Sequence, residues 1–273
     1  MNGLTKLALK RLSRTARPYL KSAGLLQVSG VYNRSALVFE PGAERVVALA
    51  PHMDDETIGC GGTLALHARR GAQVSVVFLT DGRHGSSALA TLPAEQRAAG
   101  ERALVATRKR EARAALAKLG LSEPMFLDAE DGALAECAWA AAGLRAILLE
   151  HRPELVYLPF YLEEHRDHRA TSRVLLDAVA GTPLDFECAG YEVWTPLFPN
   201  CLVRIDETMP IKKEALAQYE SQLADADYLH ASVGLNMHRS IGLLGSRGGY
   251  AEAFHVSSLR DFREQHARYG AAE

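Results

Sequence analysis

This 273-residue chain has few cysteines, and no two of them are close together in the sequence. The four cysteines lie far apart, at Cys60, Cys137, Cys188 and Cys201, and none belongs to a CxxC motif. This spacing excludes a cysteine zinc ribbon and a thioredoxin-type redox site. Scattered thiols are typical of proteins in a reducing compartment, so we expect a cytoplasmic protein.

Long apolar runs are also missing. No run approaches the roughly 18 apolar residues that predict a membrane-spanning helix. Lys and Arg interrupt the first 22 residues throughout, so we expect no signal peptide there. The chain has no excess of basic residues either, because 31 Lys and Arg stand against 33 Asp and Glu, a formal net charge of -2. Nucleic-acid binders are usually far more basic, so we expect no nucleic-acid partner.

Basic residues are nevertheless concentrated near the start of the chain. Residues 1–21 contain six of them, and no acidic residue precedes Glu40. We assign residues 1–40 to a basic N-terminal extension and residues 41–273 to a single domain. The extension either packs against that domain or lies as an amphipathic helix on an anionic membrane surface. The second alternative predicts peripheral contact of residues 1–22 with the inner face of the membrane.

Short apolar runs alternate with helical patterns from residue 45 onward. The runs that predict strands are residues 46–50, 74–79, 125–127 and 155–160. The patterns that predict helices are residues 57–70, 101–119 and 134–150, and residues 85–100 predict a surface loop. Such alternation is typical of an α/β protein, and we predict a Rossmann-like, mostly parallel sheet flanked by helices. After residue 185 the rhythm changes, which indicates additional C-terminal strands and helices.

Two groups of ionisable residues follow predicted strands. Residues 51–56, with the sequence PHMDDE, come directly after the first strand, and residues 165–168, HRDH, come shortly after the fourth. Ligands of open α/β sheets bind at the carboxyl ends of the strands, which a parallel sheet brings to one edge. We therefore expect the two groups to form one site.

Two imidazoles and one carboxylate form the ligand set of many catalytic zinc sites. His52 and His168 are the candidate nitrogen ligands. Neighbouring side chains point in different directions, so one of Asp54 and Asp55 would bind the metal while the other faces the water as general base. His165 would hold a proton for the leaving group or donate to the developing oxyanion. The expected cofactor is Zn²⁺, with Fe²⁺ or another divalent metal as the alternative, because the same ligands suit ferrous iron.

Three segments carry a family resemblance. They read ALAPHMDDETIGCGG at residues 48–62, VVFLTDG at residues 76–82 and HRDH at residues 165–168. Together they resemble the PIG-L/LmbE family of metal-dependent N-acetylglucosaminyl deacetylases, in a match that extends over residues 45–260. The resemblance implies three zinc ligands, which are His52, Asp55 and His168. It also implies Asp54 as the general base.

Further roles follow from the resemblance and from residue type. The resemblance implies that His165 stabilises or protonates the transition state, with Asp167 behind it to fix its tautomer and orientation. Arg108 and Glu111 are similar to an RxxE helix segment of the family, in which the Arg contacts the substrate. Trp194 offers an apolar ring with a polar tip for stacking on a sugar, although packing in the core would also explain it.

Two positions depart from the family pattern. Met53 replaces the usual Pro, which should loosen the loop but removes no ligand. Glu163 lies two residues before HRDH, where some members of small-thiol pathways have Tyr, and this argues against a thiol-precursor substrate. The glycines at residues 59–62 do not indicate a nicotinamide site, because Leu64 occupies the sixth position of the GxGxxG pattern.

The function expected from these observations is metal-dependent deacetylation of an N-acetylated amino sugar, as part of surface polysaccharide or glycoside biosynthesis. One alternative is an amidohydrolase that acts on an N-acyl substrate without a sugar. The other is a non-catalytic, membrane-associated module that binds carbohydrate. The sequence does not indicate an oligomeric state.

Overall fold

The computed structural model of the protein describes residues 36–241 and 248–270. Its strands are β1 (Leu37–Val38), β2 (Arg45–Ala50), β3 (Gln73–Thr80), β4 (Met125–Ala129), β5 (Leu155–Pro159), β6 (Glu187–Tyr191), β7 (Cys201–Arg204) and β8 (Ala251–Ser258). They form one sheet in the order β1-β7-β8-β6-β5-β2-β3-β4. β8 pairs antiparallel with β6 and β7, and the remaining neighbours are parallel. The predicted α/β fold is therefore confirmed, whereas the expectations for residues 1–22 lie outside the described residues.

Helices flank this sheet. Within the described residues they are α1 (Asp55–Arg69), α2 (Ser87–Ala90), α3 (Ala94–Leu119), α4 (Ala138–His151), α5 (Arg166–Val179), α6 (Met209–Leu216), α7 (Glu220–Leu223), α8 (Tyr228–Ser240) and α9 (Leu259–Gln265). The residues of β2 alternate between two cores, because Val46, Ala48 and Ala50 belong to one of them, and Val47 and Leu49 to the other. Successive strand residues point to opposite faces, so both faces of the sheet are covered.

Two helices differ from their predicted bounds by more than two residues. α3 begins at Ala94, inside the predicted surface loop, because the alanine-rich segment is a strong helix former. The helix predicted at residues 134–150 is divided into a 3₁₀ turn at Leu134–Glu136 and α4. The backbone N–H of Leu134 donates to the carboxylate of Asp167 in α5, and this contact fixes the turn against α5.

The strand order reverses between β2 and β5. The chain runs from β2 through β3 to β4 on one side, and then returns to place β5 on the other side of β2. Such a reversal opens a crevice at the carboxyl ends of the two strands, and ligands of α/β proteins bind there. PHMDDE follows β2, and HRDH lies at the start of α5, directly after the loop that leaves β5. The topology therefore brings both groups to this crevice.

The glycines of α1 allow the helix to lie close to its neighbours. A Cβ atom at Gly59 would be 2.2 Å from the ring of Tyr191, and one at Gly62 would be 2.8 Å from Ile205. This close packing fixes the first turn of α1, which carries Asp55, at the crevice. Among the described residues, no helix is both long enough and apolar enough to span a membrane.

Candidate metal centre and catalytic site

The loop between β2 and α1 is held in a strained conformation at Asp54. This residue has a φ of 139°, although it is not glycine. Its carbonyl accepts hydrogen bonds from the N–H groups of Thr57 and Ile58, and its own N–H donates to Glu56 Oε2. Tyr219 in turn donates its hydroxyl hydrogen to Glu56 Oε1. Strain of this kind costs about 1–3 kcal/mol and persists where surrounding contacts enforce it, often at functional sites.

One carboxylate oxygen lies between two imidazoles. Asp55 Oδ2 is 3.2 Å from His52 Nδ1 and 3.2 Å from His168 Nε2. Four ligands at zinc–ligand distances of ~2.0–2.1 Å in a tetrahedral arrangement are about 3.3 Å apart, so both spacings fit such a cation. His168 is buried, and within the described part of the chain its Nε2 makes no well-aligned hydrogen bond. Asp55 Oδ2 thus lies between two of the residues implied as ligands, and each of the two spacings fits a shared divalent metal.

Burial and charge shift the pKa values of these three groups. Burial works against ionisation of Asp55, but His168 and His52 hold its pKa well below the ordinary value. Burial also opposes protonation of His168, but Asp55 raises its pKa to about 9. The pKa of His52 lies well above its ordinary value, because hydrogen bonds with three carboxylates outweigh the effect of burial. The site therefore favours positive charge at both imidazoles.

The second nitrogen of His52 faces two further carboxylates. Its Nε2 lies 3.2 Å from Asp131 Oδ1 and 3.3 Å from Asp167 Oδ2. Carboxylates in this position fix the tautomer and orientation of a metal-binding imidazole. The carboxylate of Asp167 also accepts hydrogen bonds from the backbone N–H groups of Gly132 and Leu134. The expectation that the Asp167 side chain orients His165 is therefore corrected, because its carboxylate contacts His52 instead.

His165 precedes α5 as its N-terminal cap. Its Nδ1 accepts a hydrogen bond from the backbone N–H of Asp167 at 3.3 Å, so the contact expected from the side chain is made by the main chain. The imidazole centroid lies 4.7 Å from that of His52 and 4.9 Å from that of His168. Burial and the two neighbouring imidazoles lower its pKa. Nitrogen atoms of all three imidazoles lie within 4.8 Å of one another, so His165 directly borders the candidate metal position.

Asp54 lies beside the candidate ligands, next to a buried guanidinium. Burial raises its pKa to about 7, against the lowering effect of Arg108. Arg108 Nη2 is 3.5 Å from Asp54 Oδ1 and donates to the carbonyl of Met53 at 2.9 Å, while Nη1 donates to the carbonyl of Gly82. These contacts give Arg108 a role in holding the loop that carries Asp54. Contact of Arg108 with a substrate stays a prediction.

The candidate site opens into a cleft of about 170 Å³. Its lining includes Asp54, Arg108 and His165 together with residues that the sequence did not single out, namely Ile58, Asp131, Val193 and Tyr228. Trp194, which also lines the cleft, is 53% exposed and meets Tyr228 edge to face, with a centroid distance of 5.7 Å. The structure therefore places Trp194 at the cleft and not in the core. Asp131 follows β4. Its position shortly after a predicted strand is the sequence pattern that marks it as a candidate site residue.

A family model matches the part of the chain that contains His52, Asp55 and His168. Residues 47–179 match the PIG-L family model, described as GlcNAc-PI de-N-acetylase. These 133 of the 273 residues are similar to that family. The resemblance carried by the three sequence segments is thus confirmed, although the matched region ends well before the expected residue 260.

Individual relatives show the range of proteins to which the chain is similar. A 1D-myo-inositol 2-acetamido-2-deoxy-alpha-D-glucopyranoside deacetylase of Mycobacterium sp. (strain KMS) is 36% identical over 160 residues, in a match that covers 50% of each protein. The chain thus spans about half the length of this curated relative. The N,N'-diacetylchitobiose deacetylase of Pyrococcus horikoshii shares the fold with a TM-score of 0.67, at 22% identity over 88% of this chain and 92% of that one.

A structure with a different reaction also shares the fold. The 4-carboxy-2-hydroxymuconate hydratase of Pseudomonas putida has a TM-score of 0.57, at 22% identity over 78% of this chain and 95% of that one. The fold by itself does not decide the reaction, so the function has to be argued from the site.

Proposed function

We propose that the protein is a metal-dependent hydrolase that removes the acetyl group from an N-acetylated amino sugar. The observation that carries the proposal is the position of Asp55 Oδ2 between His52 Nδ1 and His168 Nε2, with Asp54 and His165 beside them. His52, Asp55 and His168 would hold Zn²⁺. A bound zinc ion lowers the pKa of water towards ~7 and polarises a carbonyl oxygen. The family and the names of the relatives support a deacetylase.

Asp54 is the proposed general base. Its carboxylate takes a proton from the water that attacks the amide carbonyl. A base acts best when its pKa is close to the working pH, and a pKa of about 7 meets this condition. The Arg108 contact and the strained backbone keep the carboxylate at the cleft. The same proton, or one held by His165, then passes to the nitrogen of the departing amine as the C–N bond breaks, and the products are acetate and a free amino sugar.

An N-acyl substrate without a sugar is the nearest alternative. The exposed aromatic pair of Trp194 and Tyr228 at the cleft favours a ring-shaped substrate, because such side chains offer an apolar face beside polar tips. A module that only binds carbohydrate would not require Asp54 beside Asp55. Peripheral membrane contact through residues 1–22 and the boundary at residue 40 remain part of the proposal.

The test combines metal analysis with an acetate-release assay over N-acetylglucosamine derivatives and N-acyl amino acids. We expect one divalent metal per chain and release of acetate from sugars. Asp54→Asn should lower kcat by at least 100-fold, because general base catalysis contributes about 10²–10⁴-fold. Asp185→Asn, at an exposed carboxylate, is the matched control and should retain full activity. Full activity of the Asp54 variant would contradict its role as base, and release from amino acids alone would favour the alternative.

A further inference from the structure

A buried carboxylate lies behind the candidate metal centre. Glu163 is 1% exposed, which is unusual for a glutamate unless it is fully paired. Its carboxylate accepts hydrogen bonds from three consecutive backbone N–H groups, those of Val193, Trp194 and Thr195, at 2.5–3.2 Å. Glu163 therefore fixes residues 193–195, which we call the aromatic turn because it carries Trp194.

The same carboxylate is close to a candidate metal ligand. Glu163 Oε2 lies 3.8 Å from His168 Nδ1, and His168 Nε2 is the nitrogen that faces Asp55. Both side chains are completely buried, so water does not screen their interaction. A carboxylate behind a metal-binding imidazole orients the ring and increases its affinity for the metal.

Additional contacts keep the segment of Glu163 in place. Arg169 of α5 donates to the backbone carbonyl of Glu163 at 3.0 Å. The backbone N–H of Glu164 donates to the side-chain oxygen of Thr195, also at 3.0 Å. The aromatic turn is thus tied to the chain segment that leads into α5, at two successive residues.

We propose that Glu163 is a positioning residue that couples the metal centre to the wall of the substrate cleft. This inference rests on the proposed function, because it assumes that His168 binds the metal. The carboxylate of Glu163 faces His168 Nδ1 at 3.8 Å, where this nitrogen has no hydrogen-bond partner among the described residues, and the same carboxylate accepts hydrogen bonds from the aromatic turn. Binding of the metal at His168 therefore changes the environment of Trp194. Loss of the Glu163 carboxylate weakens metal binding and displaces the Trp194 ring, which faces the substrate.

The test uses Trp194 as a reporter. The chain has two tryptophans, and Trp139 lies on α4, so Trp139→Phe leaves Trp194 as the single tryptophan. In this background, zinc is titrated into chelator-treated full-length protein, and Trp194 emission and zinc affinity are recorded. We expect zinc to change the emission. Glu163→Gln should lower the zinc affinity by about 10–100-fold and reduce the change in emission. At saturating zinc, the KM for the acetylated sugar should rise more than kcat falls.

A neighbouring carboxylate provides the control. Glu192 is also buried, but it accepts from the backbone N–H of Leu197 and from Arg239. Glu192→Gln should therefore keep the zinc affinity of the parent, even if it lowers stability. An equal loss of zinc affinity in both variants would show a general packing effect and overturn the proposal.

The remaining outcomes separate this inference from the proposed function. Parent-like zinc affinity and emission in Glu163→Gln, while the parent binds zinc and releases acetate, would overturn the coupling alone. A parent that binds no zinc would overturn the coupling together with the proposed metal site. If circular dichroism shows that Glu163→Gln does not fold, Glu163→Asp replaces it. The shorter side chain keeps the negative charge but places the carboxylate farther from His168 and from the aromatic turn. The same losses of zinc affinity and of emission change are then expected.

Discussion

The strained backbone of Asp54 allows the stability of the site to be separated from its chemistry. With φ at 139°, Asp54 has a conformation that glycine adopts far more readily than other residues. Asp54→Ala and Asp54→Gly both remove the carboxylate and its contact with Arg108. They differ only in the Cβ atom, so a comparison of the two variants isolates the strain. Both variants should lack deacetylase activity, because neither has the proposed base.

The expected difference follows from two opposing effects. A non-glycine residue in a rare backbone conformation costs about 1–3 kcal/mol, and replacement by glycine removes this cost. Glycine loses more conformational entropy on folding than alanine does, by about 0.5–1 kcal/mol. With the middle of each range, the free energy of unfolding of Asp54→Gly should thus exceed that of Asp54→Ala by about 1 kcal/mol. An alanine-to-glycine change in a regular helix has the opposite sign.

Urea denaturation of the two variants, after treatment with chelator, measures this difference. The control is the same pair of substitutions at Asp177, which is exposed on α5. There the alanine variant should be the more stable one, by up to about 1 kcal/mol. If Asp54→Ala were as stable as Asp54→Gly, the backbone at this position would not be strained, and the reasoning would be wrong.

Three further predictions concern the metal site and the packing beneath it. The raised pKa values of His52 and His168 keep both imidazoles protonated at pH 7 in chelator-treated protein. Zinc should therefore release protons when it binds. Calorimetry in two buffers detects this release as a binding enthalpy that depends on the buffer. The pKa of His168 is about 9 in the folded protein and about 6.5 in the unfolded chain. Its contribution to the stability of chelator-treated protein should therefore be complete below pH 6.5 and disappear as the pH rises through 9. Denaturation at several pH values measures this change. Gly59→Ala should destabilise the protein by about 1–3 kcal/mol because its Cβ would overlap the Tyr191 ring, whereas Gly234→Ala, which meets no atom within 4 Å, should be neutral or stabilising in the same assay.

The sheet and the location of the site could be predicted because both depend on short-range pattern. The apolar runs of β2 and β5 are buried on both faces and therefore read as nearly continuous hydrophobic segments. Parallel strands necessarily end at one edge, which is why PHMDDE and HRDH meet. The predicted start of α3 at residue 101 lies too late, because the polar residues between alanines resemble a loop. Tertiary contacts and alanine content extend the helix to Ala94.

The partners of the site residues could not be predicted in the same way. The contact between Asp167 and His52 depends on how the side chain leaves α5, and sequence proximity favoured His165 instead. Asp131 reaches His52 from a loop 79 positions away, and the path of that loop is not encoded in a local pattern. In the sequence, Glu163 stands out only as a departure from the family pattern. Its link to the aromatic turn requires the three-dimensional arrangement of two loops.

The charge balance of the site is compatible with a bound divalent cation, independently of any motif. Six carboxylates lie within this buried region, those of Asp54, Asp55, Glu56, Asp131, Glu163 and Asp167. The buried guanidinium of Arg108 neutralises one of them, and backbone N–H groups stabilise Glu163 and Asp167. Burial of an uncompensated carboxylate is costly, so positive charge has to come from elsewhere. Protons on His52 and His168 supply it in chelator-treated protein, which explains why the pKa values of both imidazoles are raised. A divalent cation at the Asp55 oxygen would carry the same total charge as those two protons. The site can therefore exchange the two protons for one divalent cation without a change in its net charge.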